Sequence, residues 1–190
     1  MKDILIAFRL FLVMMVLTGI LYPLSITAIV QLLFPHQATG SMIIIDGEIR
    51  GSELVGQKFV SERYFWSRPS AINYNPMPSG ASNLGPTSVA LQKAVAQRRA
   101  TLDSTAMRSY HGPIPVEMLF SSASGIDPHI SREAARLQID RIVRTREFNP
   151  EQKSKLIDLV EHFVEPPQWK IFGEPRVNVF LLNIALDQLK

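Results

Sequence analysis

Asp127 and His129 stand two residues apart in the run SSASGIDPHISREAA, among several serines. A carboxylate, an imidazole and a hydroxyl are the residue types of a serine-hydrolase relay, in which the carboxylate orients the imidazole and the imidazole takes the hydroxyl proton. A triad is assembled by the fold, however, and Gly125 and Pro128 let the same run read as a turn leading into a capped helix. His36, His111, His129 and His162 show no paired spacing such as HxxxH, so no metal site is expected. The absence of cysteine excludes disulfides, Cys-based zinc sites and thiol nucleophiles. GxxxxGK[ST] and GxGxxG are also missing, so the chain carries no standard nucleotide-hydrolysing apparatus.

At 190 residues the chain has room for one domain plus a short extra element. That element is apolar. Leu10–Leu33 runs 24 residues without a charge, about 36 Å as a helix, enough to cross a hydrocarbon core of about 30 Å. A cleaved signal peptide would have a shorter apolar run and a small residue near its exit, where this chain has His36, so a retained span is expected. Pro23 predicts a kink, with the Ser25 and Thr27 hydroxyls available to freed carbonyls. Lys2 and Arg9 precede the run and the next basic residue is Arg50. The positive-inside rule therefore puts residues 1–9 in the cytoplasm, 10–33 across the membrane and 40–190 outside it. One helix encloses no pore, but Gly19, Ser25, Thr27, Ala28 and Gln31 offer small and hydrogen-bonding surface for docking on other helices.

Beyond the span the charges nearly balance, and nucleic acid is not an expected partner. Arg98-Arg99 and Arg141–Arg146 fall in helical patterns and read as solvated faces. Asp46-Gly47 between Met42–Ile45 and Glu48–Arg50 predicts a hairpin. The stretch from Arg68 to Pro86 is rich in Pro, Gly, Ser and Asn and keeps no period. Tyr64, Phe65, Trp66, Ile72 and Tyr74 nevertheless predict that it packs down as an ordered recognition loop.

Pro86 predicts the first turn of a helix with Leu91, Val95 and Leu102 inward. Ser131 caps a second helix with Ala135, Ile139, Ile142 and Val143 on one face. Asn149, Pro150 and Gln152 open a third, with Leu156, Leu159, Val160 and Phe163 inward. Arg176–Leu182 reads as a buried strand, and the fold class is mixed α/β, anchored by one N-terminal helix.

Together with the span, five segments resemble the KdpC family, a component of Kdp-type potassium-transporting ATPases. They are GSELVGQKF at 51–59, YFWSRPSA at 64–71, SGASNLGPT at 79–87, SGIDPHIS at 124–131 and GEPRVNVFLLNIAL at 173–186, in the family's order. The resemblance implies a non-catalytic accessory subunit of an ATP-driven potassium uptake complex in the bacterial cytoplasmic (inner) membrane. Its partners would be a potassium-channel-like subunit, a P-type ATPase subunit and a small single-span subunit.

The resemblance also implies a catalytic chaperone that raises the pump subunit's affinity for ATP, with no tightly bound cofactor of its own. Nucleotide contact falls by resemblance on Ser79, Gly80, Ser82, Asn83, Leu84 and Gly85; Ala81 stands where the family pattern has glycine, and Ser88-Val89 where it has Asn-Pro. Backbone amides of a Gly/Ser-rich loop ahead of a helix can indeed bind an anion. Yet the charge bias puts this loop outside, where ATP is scarce, so docking over a partner is the reading that agrees with orientation. The alternative from another class is a membrane-tethered periplasmic hydrolase using Asp127 and His129.

Overall fold

The computed structural model of the chain describes residues 2–105 and 112–189; His111 lies outside them. The described chain divides into two units, Met1–Ser52 and Glu53–Lys190.

In the first unit, helix α1 (Lys2–Val16) passes through a π-helical turn (Leu17–Leu21) into α2 (Tyr22–Leu33). The 32 residues have a mean hydropathy of 2.6 in their most apolar window and bury none of it. A proline cannot donate to the carbonyl four residues back, and its ring crowds that carbonyl. Here the chain loosens one turn before Pro23, where the Tyr22 amide reaches back five residues to Leu17 O. Ser25 and Thr27 do not serve Gly19, the carbonyl that Pro23 frees; they donate to Leu21 O at 2.7 Å and Pro23 O at 2.8 Å. After α3 (Pro35–Ala38), strands β1 (Met42–Ile45) and β2 (Glu48–Ser52) pair antiparallel. Asp46 (φ 55°) and Gly47 (φ 80°) make the expected tight turn. Arg50 is an extra residue in the register between Ile49 and Gly51.

The second unit is a mixed helix-and-strand domain. Its helices are α4 (Val89–Thr105), α5 (Arg132–Arg146), α6 (Pro150–His162) and α7 (Val179–Gln188); its sheet has the order β3 (His129–Ser131), β5 (Arg176–Asn178), β4 (Val164–Glu165), all antiparallel. The caps explain the boundaries. Ser131 Oγ accepts from the Ala134 amide, and Asn149 and Gln152 form a reciprocal capping box with Pro150 at the first position. Helix α4 begins later than Pro86 predicts. Ser88 bonds back to Gly85 O and its hydroxyl faces the Leu91 amide, so Pro86 lies in the preceding turn.

The run expected as a strand over Arg176–Leu182 breaks after Asn178. The Asn178 side chain accepts from the Phe180 and Leu181 amides, capping α7, and donates to Glu53 O at 2.7 Å. The apolar run is a helix buried through Val179, Leu182 and Leu186, a burial that periodicity over so few residues does not separate from a strand.

Ile130, Ala135, Ile139, Ile142, Leu156, Val160, Val177, Leu182 and Leu186 form the core, joined by Leu102 of α4 and by Phe65 from the segment just before the long loop.

Candidate functional site

Just ahead of the Arg68–Pro86 stretch, Tyr64–Trp66 are held by three helical side chains. Asn183 of α7 grips Phe65 on both sides, its Oδ1 accepting from Phe65 N at 2.8 Å and its Nδ2 donating to Phe65 O at 2.9 Å. Gln138 of α5 repeats the device on Trp66, at 2.7 and 3.2 Å. Two carboxamides thus supply the hydrogen bonds a neighbouring strand would otherwise give. Arg141 completes the clamp. Its Nη2 donates to Tyr64 O at 2.6 Å and to Gln138 Oε1 at 2.8 Å, and its guanidinium lies 3.6 Å over the Trp66 ring.

The expectation of a solvated Arg141–Arg146 face is therefore wrong at both ends. Arg141 is 0% exposed, and the Arg146 side chain is buried against Tyr64 with its Nη2 on Asp187 Oδ1 at 2.7 Å. Tyr64 Oη donates to the other oxygen of Asp187, and this bond, with burial, raises its pKa. Arg98 also turns inward, donating to Leu119 O at 2.7 Å.

Further along, Tyr74 Oη donates to Arg68 O at 2.6 Å, and burial pushes its pKa up to about 12. Gly80 donates to Ser124 O at 3.0 Å. Ser79, Ser82, Asn83, Leu84 and Gly85 are exposed, with Asn83 in the left-handed region at φ 51°. They form a surface ridge before α4, and no described cavity is lined by them. Gly19, Ser25, Thr27, Ala28 and Gln31 are all exposed along the apolar helix, leaving their surface open to other helices.

Asp127 and His129 do come together. Asp127 Oδ1 accepts from the His129 amide at 3.0 Å and lies 3.6 Å from its Nδ1, while Oδ2 binds Arg68 Nη1 at 2.9 Å. Burial alone would raise the Asp127 pKa; the His129 side chain and amide and the Arg68 guanidinium outweigh it and hold the carboxyl below the usual range. With Glu117, Glu174 and Arg176 they line a cavity of about 250 Å³. Among the described residues no serine hydroxyl is bonded to His129, and Ser131 Oγ is occupied as the α5 cap. The hydrolase alternative finds no support in this geometry. Nor, among the described residues, does any group of three His, Asp or Glu converge as for a metal ion.

What Asp127 joins is chain to chain. Gly56 donates to Ile126 O at 2.7 Å, Arg68 reaches Asp127, Gly80 meets Ser124, and the Val179 amide bonds Pro128 O at 3.0 Å. Four segments distant in sequence thus meet on 124–128. A Cβ on Gly56 would sit 2.5 Å from Asp127 O, a backbone atom that cannot swing away. Gly56→Ala is therefore expected to cost about 2–3 kcal/mol in urea unfolding. Gly80→Ala, which meets nothing within 4 Å, should lie within about 0.5 kcal/mol of the wild type.

Among the described residues one unburied apolar helix is long enough to cross a bilayer, and it is joined to a mixed helix-and-strand domain, the outline of a single-span membrane protein. Comparison with known proteins makes the class specific. The family described as K+-transporting ATPase, c chain (KdpC), matches residues 4–188. The potassium-transporting ATPase KdpC subunit of Polaromonas naphthalenivorans is 46% identical over 194 aligned residues, covering 100% of this chain and 97% of the relative. Those of Dechloromonas aromatica and Shewanella putrefaciens are each 45% identical, covering 96% and 90% of this chain and 95% and 84% of the relatives. The chain belongs to the KdpC family.

Proposed function

We propose that the chain is the accessory subunit of a potassium-transporting ATPase, held in the cytoplasmic membrane with its N-terminus inside and its folded unit outside. It contributes no catalytic group; it packs its helix on a channel-like subunit and holds the folded unit over that subunit's outer mouth, alongside the P-type ATPase subunit and a small single-span subunit. The observation that carries this reading is the family match over 4–188 of a chain whose long N-terminal apolar helix leaves its small and polar residues uncovered. The basic residues Lys2 and Arg9 support the direction of insertion.

The chaperone role, raising the ATPase subunit's affinity for ATP, is the finer part of the proposal. The Ser79–Gly85 ridge offers exposed hydroxyls and an Asn side chain, but the Gly80 amide is already taken by Ser124 and no cation of the ridge itself would face a phosphate. That favours a protein surface over a nucleotide cradle for these residues.

Purification of the tagged full-length chain in mild detergent tests the reading. The other Kdp subunits should co-purify in fixed ratio. A stable monomer with no companion would overturn it.

A further inference from the structure

Between β4 and β5 the chain makes a small finger. Gln168 and Phe172 exchange both backbone hydrogen bonds, at 2.9 and 3.0 Å, and the Ile171 amide closes the turn on Gln168 O at 3.1 Å. Trp169 (φ 51°) and Lys170 (φ 63°) occupy the two central positions, where left-handed backbone normally calls for Asn or Gly. The finger thus holds large side chains outward in a conformation that their own Cβ atoms resist. Trp169 is 86% exposed, Ile171 77% and Phe172 60%, with Trp169 edge-on to Phe172 at a centroid distance of 6.0 Å.

We infer that this finger is a lipid contact: Trp169, Ile171 and Phe172 enter the interfacial layer of the bilayer and Lys170 meets anionic headgroups. The chemistry is that of an interface. Trp and Phe side chains favour headgroup depth, and a lysine between them keeps its ammonium at the phosphates while its stem lies along the acyl boundary. Backbone entering a bilayer is favoured when internally bonded, and the Gln168, Lys170, Ile171 and Phe172 amides all donate within the finger and its base. The charges are graded the right way. Lys170 is at the tip, whereas Glu165, paired with Arg176 at 2.9 Å, and Glu174 stand at the base. Finally, the folded unit is tethered to a helix long enough to cross a bilayer. Only residues 34–41 and a hairpin that closes on itself, with Met42 opposite Ser52, separate the apolar helix from the folded unit.

The chain has two tryptophans, Trp66 in the clamped loop and Trp169 in the finger, and the apolar helix has none. This makes a direct test. The full-length chain is reconstituted in phosphatidylcholine–phosphatidylglycerol vesicles, with and without lipids brominated at shallow acyl positions. Bromine is expected to quench the emission of the wild type, and the quenched component should vanish in Trp169→Phe, which still floats with the vesicles. Lys170→Glu should cut the quenching at least about twofold in these anionic vesicles. Equal quenching in wild type and Trp169→Phe, no quenching in either, or no effect of Lys170→Glu would overturn the inference. So would shielding of Trp169 from iodide that develops only when co-purified partner subunits are added, which would make the finger a protein plug.

Discussion

Cells that carry the other Kdp subunits but lack this chain are expected to lose ATP-driven potassium uptake, measured as rubidium or potassium entry at low external potassium. The expectation follows from a division of labour. Phosphorylation chemistry needs an aspartate loop that this sequence lacks, and one helix encloses no ion path; on the proposed accessory reading, what the chain adds is position. The uncovered helix and the clamped loop are the two parts that can supply it. On that reading the loss of transport should be complete. Full-rate pumping by the partner subunits alone would end the accessory reading.

Arg141→Ala is expected to destabilise the folded unit by about 3–5 kcal/mol, a large share of the about 5–15 kcal/mol available to a domain of this size. The side chain is wholly buried, and Nε and Nη1 find no hydrogen-bond partner among the described residues. Burial lowers its pKa to about 9, with nearby Glu62 opposing the shift. The folded state thus holds this proton less tightly than the unfolded chain. That cost is present in full at neutral pH. Charge itself is not what Arg141 gives the fold. Truncation would leave Tyr64 O and Gln138 Oε1 without their donor, open a cavity and remove the flat stack on Trp66. Arg141→Met, which refills the volume, should recover part of the loss. Arg141→Lys should recover little, since a single ammonium cannot stack and serve two acceptors as a planar fork does. Urea unfolding checks the series, and a loss for Arg141→Ala under about 1 kcal/mol would show that the clamp is dispensable.

The sequence makes legible what is local. Asp46-Gly47 dictates its turn, Asn149, Pro150 and Gln152 dictate the start of α6, and the predicted inward residues of α5 and α6 are buried at Ala135, Ile139, Ile142, Leu156 and Val160, with Val143, Leu159 and Phe163 half-buried against them. Long-range pairing is another matter. Gln138, Arg141 and Asn183 are polar residues on helices, and nothing near them in sequence says that each faces a loop more than seventy positions away. The same limit hides α7: Asn178 is a favoured capping residue, but its apolar run fits a strand as well until Glu53 and the core are in place. Resemblance marks the blocks around Gly56, Arg68, Gly80 and Asp127 without saying why they matter. The fold gives a reason, since they meet at one seam.

The π-helical turn at Leu17–Leu21 has a geometric outcome for the anchor. Admitting one additional residue displaces everything after it by about 100° around the axis relative to an unbroken helix. Gly19 lies within the turn, while Ser25, Thr27, Ala28 and Gln31 come after it. A wheel drawn through Pro23 as if the rod were uniform would put them on the wrong meridians. The halves before and after the turn instead present their faces in separate compass directions, about 100° from where a uniform helix would put them.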